Sequence, residues 1–142
     1  MNRVMLELPE QLQFSTGIAV RISDINYGGH LGHDAIISLM HEARVSFLRH
    51  HDFSESAIDG VGLIMTDLVV QYKAEVFYGD ILTIEVDVQA FSKYGCHFVY
   101  RVGNREKGTE VARAKTEIVF FDYAKRRIVG IPQSFQSAFT TR

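Results

Sequence analysis

Apolar and polar positions change their period once along this chain, and that change predicts most of the fold. Residues 13–22 carry β-branched and aromatic residues and predict a first strand. From Asp34 the apolar residues Ile36, Ile37, Met40, Ala43, Phe47 and Leu48 recur at helical spacing, with Ser38, His41, Glu42 and Arg49 largely on the other side. Arg49, His50 and His51 put cationic or titratable groups in the last turn, where the helix dipole favours them, so the helix is expected to stop near Asp52. Residues 61–76 predict a second long strand. Beyond it Leu82, Ile84, Val86 and Val88 alternate with Thr83, Glu85 and Asp87, and Phe98, Tyr100 and Val102 with His97, Val99 and Arg101. Ala112, Ala114, Thr116, Ile118 and Phe120 alternate in the same way with Val111, Arg113, Lys115, Glu117 and Val119. Period two means strands with two distinct faces. The turn signals Tyr78-Gly79-Asp80, Lys93-Tyr94-Gly95 and Asn104 to Gly108 are short, which implies antiparallel neighbours. Pro132 suits the first position of a short closing helix.

The pattern predicts an α+β domain: a strand, one long helix, then a meander of four strands. One helix covers only one face of such a sheet, and does so best if the sheet curls around it. A helix apolar over much of its circumference fits that wrapped position. The 142 residues suffice for one core, and the two prolines, Pro9 and Pro132, lie near the ends with no linker between them, so residues 1–142 read as a single domain.

Charge and cysteine content narrow the function classes. A net charge of −2 gives no whole-chain argument for nucleic acid. No segment is long and apolar enough to span a membrane, and the stretch Met1 to Phe14 carries no signal-peptide core, so a cytoplasmic setting is expected. Cys96 is the single cysteine, which excludes an intrachain disulfide.

The candidate chemistry lies in one run, Asp24-Ile25-Asn26-Tyr27-Gly28-Gly29-His30-Leu31-Gly32-His33-Asp34, which opens onto the long helix. A helix N-terminus offers unpaired backbone N–H groups that hold an anion or polarise a carbonyl. Gly28, Gly29 and Gly32 let a substrate come close, and an N–H near Gly29 or His30 is the candidate donor. His30 is either a general base or a histidine that pins the loop. His30 and His33 have a spacing seen in metal sites, but no third ligand is evident and no metal is expected. Asp24 reads as a catalytic carboxylate or, more simply, as an acceptor for loop N–H groups. Asp67 interrupts an apolar run from Val61 to Val70, and a half-buried acid there would suit a general base. Glu42 is expected in a structural ion pair, because residues two apart on a helix, such as Glu42 and Arg44, do not face each other. Phe47, Phe53, Met65 and Tyr72 are candidates to shape an apolar pocket.

Several of these pieces, in this order, resemble a known family. Val20-Arg21-Ile22-Ser23-Asp24, Gly29-His30-Leu31, Glu42-Ala43-Arg44, Tyr72, Tyr78-Gly79-Asp80 and Val119-Phe120-Phe121-Asp122, with Arg127 and Pro132, resemble the hotdog-fold acyl-CoA thioesterases of the 4-hydroxybenzoyl-CoA thioesterase-like group. The resemblance runs from about Phe14 to about Pro132. It implies a curved sheet wrapped around one central helix, hydrolysis of an acyl-CoA or acyl-carrier thioester without metal or redox cofactor, and self-association as a homodimer or homotetramer with sites built from two chains. It also places Tyr27 with Gly28, Gly29 and Gly32 beside the substrate. One departure matters: where many members carry a nucleophilic or basic Asp, this chain has Asn26. Asn26 is then expected to hold water or the thioester oxygen, with Asp67 or His30 activating the water. Asn26 and Asp67 would meet across a subunit interface. The same departure keeps open a non-catalytic acyl-CoA or acyl-carrier binding module, and a hotdog hydratase remains a weaker alternative. Some of Lys93, Arg101, Arg105, Lys107, Arg113 and Lys115 would meet the coenzyme's phosphates.

Overall fold

The computed structural model describes residues 3–140. Its elements in chain order are β1 (Phe14–Ala19), a 3₁₀ turn (Ile22–Asp24), α1 (His33–His50), β2 (Gly62–Tyr72), β3 (Ile81–Gln89), β4 (Gly95–Asn104), β5 (Glu110–Asp122), β6 (Arg127–Val129) and α2 (Gln133–Thr140). The strands form one antiparallel sheet in the order β1-β3-β4-β5-β2, with β6 pairing the end of β5. The period-two segments became strands with the expected inward residues. Leu82, Ile84, Val86, Phe98, Tyr100, Val102, Ala112, Ala114, Ile118 and Phe120 are all buried.

The expected four-strand meander is corrected at one place. β3, β4 and β5 do form a meander, but β2 pairs with β5 rather than with β3. The segment after β2 therefore crosses to the far side of the sheet. Residues 73–80 leave the strand at Tyr72, four residues earlier than the apolar pattern implied, to make that crossing. They travel past the start of α1, where the Leu31 N–H donates to the Val76 carbonyl (2.7 Å). This path brings the end of β2 beside the glycine loop.

The helix lies against the inner face and buries Ile36, Leu39, Met40, Ala43, Phe47 and Leu48. It is not apolar all round: His41, Glu42, Arg49 and His50 are exposed, leaving a broad apolar stripe. α2 closes the far end of the core. Phe135 and Phe139 pack their rings on each other (centroids 4.7 Å), on Phe120 and on Phe47. The outer face is partly covered by the N-terminal segment. Arg101 donates to the carbonyls of Pro9 and Glu10, Arg113 donates to that of Leu6, and the Gln13 N–H donates to Asp87.

Gly95 sits where β4 starts against β5, and a Cβ there would stand 1.9 Å from the Ile118 carbonyl oxygen. Gly95→Ala must therefore push the two strands apart. A loss of about 1–3 kcal/mol is expected, read as a lower urea midpoint at unchanged slope.

Candidate active site

The loop before α1 folds on its own polar groups. The Asn26 N–H donates to the His30 carbonyl (2.9 Å), and the Gly29 N–H donates back to the Asn26 carbonyl (3.0 Å). Gly29 has φ +84°, a conformation that glycine adopts without strain. Asn26 Oδ1 accepts the Gly28 N–H (2.9 Å). Since an N–H requires an oxygen acceptor, this bond fixes the amide orientation and leaves the Asn26 Nδ2 group as a donor. His30 Nδ1 lies 3.2 Å from the Leu31 carbonyl oxygen. A carbonyl only accepts, so Nδ1 carries the proton and Nε2 of the neutral ring presents a lone pair. A Cβ on Gly28 would stand 3.2 Å from Asn26 Oδ1 and 3.4 Å from His30 Nε2, so the two side chains converge on the same glycine.

Both side chains open onto a cleft of about 420 Å³ between the start of α1 and the chain leaving β2. Gly32, His33 and Ile36 line one side, and Tyr72, Lys73 and Val76 the other. Gly32 is the N-cap of α1 and offers no side-chain cap. The Ile36 N–H reaches back to the Gly32 carbonyl, but among the described residues no acceptor takes the N–H groups of His33, Asp34 or Ala35. These are the unpaired first-turn donors of the helix. Tyr72 anchors that turn from the opposite side, its hydroxyl donating to the His33 carbonyl (2.6 Å). Burial, and then the Asp34 carboxylate, raise the Tyr72 pKa, so the phenol keeps its proton.

The sequence candidates are distributed unevenly about this cleft. Asn26, His30 and Gly32 line it. Gly28 and Gly29 lie beside it with their N–H groups taken by Asn26, while the N–H groups of His30 and of the first turn of α1, onto which the loop opens as expected, have no acceptor among the described residues. Tyr27 projects away, fully exposed at the loop tip. Asp24 is buried below the loop, where its carboxylate accepts the Arg21 N–H (2.9 Å) and faces the Arg21 guanidinium, outside the cleft lining. Asp67 was expected to be half-buried and is exposed, because β2 is the edge strand and a bulge at Thr66 interrupts its pairing. It does not line this cleft. Of the pocket candidates, Tyr72 lines the cleft, while Phe47 and Phe53 belong to the aromatic core around α2. Arg101 and Arg113 are engaged by Glu110 and the N-terminal segment, whereas Lys73, which the charge pattern passed over, stands at the cleft with Glu110 (2.8 Å). Cys96 is buried, and burial pushes its thiol up to about 12, which removes it as a nucleophile. Among the described residues no group of three His, Cys, Asp or Glu side chains is placed to hold a metal ion, and no helix is long and apolar enough to cross a membrane.

Sequence reasoning missed a largely buried polar network about two helical turns beyond Ile36. Arg44 donates to Glu55 (2.7 Å) and to the Tyr100 hydroxyl (3.0 Å), which in turn meets Thr116 Oγ1 (2.9 Å). His41 holds the other Glu55 oxygen (2.7 Å). Glu42, expected in an ion pair, is exposed and makes none among the described residues, and the neighbouring Arg44 is the paired residue. Burial acts to raise the Glu55 pKa, but the hydrogen bonds from Arg44 and His41 outweigh it, and the net shift is downward. A lowered carboxylate pKa adds stability that is complete above the ordinary value of 4.5 and is lost as pH falls through the folded-state value. Unfolding by urea at pH 7 and at pH 3.5 should therefore show an acid loss that Glu55→Gln reduces.

A curved antiparallel sheet closed around one long helix, with a glycine loop feeding that helix, defines a hotdog-fold protein. The 1,4-dihydroxy-2-naphthoyl-CoA thioesterase of Synechocystis has this fold at a TM-score of 0.82 and 21% identity, covering 90% of this chain and 96% of that one. A putative thioesterase of Pseudomonas aeruginosa matches at 0.81 and 19%, covering 90% and 98%. The chain belongs to the thioesterase-like superfamily, whose model matches residues 20–139. It is also similar to the acyl-CoA thioester hydrolase YbgC of Escherichia coli O157:H7, with 27% identity over 128 residues that cover 89% of this chain and 95% of the relative.

Proposed function

We propose that this chain hydrolyses an acyl-CoA thioester to the free acid and CoA. The observation that carries the reading is the convergence at one cleft of three complementary groups. Unpaired N–H donors at the start of α1 suit a developing oxyanion, the Asn26 amide suits a water or carbonyl oxygen, and His30 Nε2 suits a proton. Two of the similar proteins, YbgC and the Synechocystis enzyme, are named for a CoA thioester, which supports the same substrate here. In this reading the thioester carbonyl sits at the first turn of α1 and Asn26 Nδ2 orients a water. His30 takes the water's proton as the oxygen attacks, and the tetrahedral intermediate collapses with release of the thiol, to which the proton is passed. Lys73 at the cleft rim faces the coenzyme's phosphates.

The free edge of β2, with Met65, Thr66 and Asp67 exposed, supports a homodimer in which two such edges join, and a homotetramer would pair such dimers. Asp67 then reaches a cleft only from the second subunit and is the alternative base. A cytoplasmic setting is part of the same proposal; among the described residues no helix is long and apolar enough to cross a membrane.

Asn26 itself favours one second reading, a module that binds acyl-CoA without turning it over, because an amide is not a base. The test is free-thiol release from short, long and aromatic acyl-CoAs by the wild type and Asp67→Ala. We expect turnover in both, with Asp67→Ala within about tenfold of wild type. A larger collapse, on the ~10²–10⁴ scale of a lost base, moves that role to Asp67 across the interface. Saturable binding without turnover establishes the binding module.

A further inference from the structure

α1 and β2, which both line the cleft, also line a second, separate crevice. Tyr72, Val70 and Leu68 occupy alternate positions of β2 and face the same way, and Tyr72 touches α1 through His33. Four residues along β2 from Tyr72, or about 13 Å at strand rise, this crevice of about 120 Å³ opens. Its walls are Ile37 and Met40 of α1 and Met65 and Leu68 of β2, with the polar Ser38 and His41 also on the α1 side. Its floor is Arg44, Tyr100 and Thr116.

That floor has donors to spare. Arg44 is only 5% exposed. It donates from Nε and Nη1, and among the described residues nothing accepts from Nη2. Tyr100 and Thr116, both buried, share one hydrogen bond between two hydroxyls. Whichever of them donates, one hydroxyl hydrogen remains without an acceptor. Donors that face a crevice without a protein acceptor suit a ligand that ends in an acceptor. The Glu55 carboxylate cancels the charge of Arg44, so the floor offers hydrogen bonds rather than net positive charge.

We infer that this crevice is the far end of the acyl site and selects an acyl group with an apolar stem and a neutral oxygen, a hydroxyl or carbonyl, at its distal end. The inference rests on the proposed acyl-CoA reading and names the substrate class within it. The crevice is somewhat smaller than a cavity of about 150 Å³ that accepts benzene, so it takes a chain end or a single ring edge and no long tail beyond it.

The test separates binding from chemistry by using two non-hydrolysable thioethers of CoA, S-decyl-CoA and S-(10-hydroxydecyl)-CoA, with dissociation constants measured by calorimetry on the full chain. We expect the hydroxylated ligand to bind at least threefold tighter to the wild type, the scale of one net hydrogen bond, and the ratio to fall toward one in Thr116→Val and in Tyr100→Phe. These near-isosteric variants keep the shape of the floor. Equal or weaker binding of the hydroxylated ligand by the wild type overturns the inference, as does a ratio that both variants leave unchanged. A purely structural network would shift both ligands together and leave the ratio alone. Thiol release from decanoyl-CoA, run in parallel, tests hydrolysis separately: its absence overturns the thioesterase reading while the binding ratio still decides the subsite.

Discussion

His30→Gln is expected to lower kcat/KM for acyl-CoA hydrolysis by about 10²–10⁴, the range for loss of a positioned general base. The geometry supplies the reason. The Leu31 carbonyl holds the Nδ1 proton, so the neutral ring offers its Nε2 lone pair beside Gly28, next to Asn26. Glutamine keeps a polar side chain near that place but takes up no proton at neutral pH. The loss should fall mainly on kcat, because the unpaired N–H groups of His33, Asp34 and Ala35, proposed to hold the carbonyl, belong to the helix backbone and remain. Stopped-flow thiol release measures it. A fall confined to KM would make His30 a residue that binds substrate and would return the base to Asp67. Asn26→Asp makes a useful companion, since a carboxylate beside His30 supplies a second base. It should at least partly rescue His30→Gln if both groups act on the same water.

Much of this arrangement was legible in the sequence because period and turn chemistry are local signals. The inward set from Leu82 to Phe120 follows from alternation alone, and the glycine loop announced itself by composition. The crossing after β2 was not legible. Residues 73–76 continue a strand-like pattern, yet the chain leaves the sheet at Tyr72 because β2 belongs beside β5, a pairing set by long-range contacts. The exposure of Asp67 in the single chain was not legible for the same reason: a lone acid in an apolar run does not reveal that its strand is an edge. The unpaired donors at the start of α1 were legible as a class, because the loop opens onto a helix N-terminus, and the cap at Gly32 fixes them as His33 to Ala35. The Arg44 network was hidden because its bonded pairs Arg44–Glu55, Tyr100–Thr116 and Arg44–Tyr100 are 11, 16 and 56 residues apart, and Glu55 sits in a turn with no periodic pattern.

That hidden network carries the largest expected effect on stability. Arg44→Ala should cost about 3–5 kcal/mol, the range for breaking one side of a buried ion pair. Three terms add in the same direction. Glu55 loses the donor that, with His41, holds its pKa down; the Tyr100 hydroxyl loses a donor; and a cavity opens where a side chain 6% exposed had packed. Glu55 keeps some solvent access at 25% exposure, which places the expectation at the lower end of the range. For a chain of this length a loss of 3 kcal/mol corresponds to a fall in Tm of about 10 °C. Arg44→Lys should recover little, since an ammonium group cannot reach Glu55 and Tyr100 together as the guanidinium fork does. Arg44→Met combined with Glu55→Leu should recover much of it, since removing both charges removes the desolvation cost along with the attraction. If the double variant is as stable as the wild type but has lost the preference for a distal hydroxyl, the ion pair is kept in this fold for recognition rather than for stability.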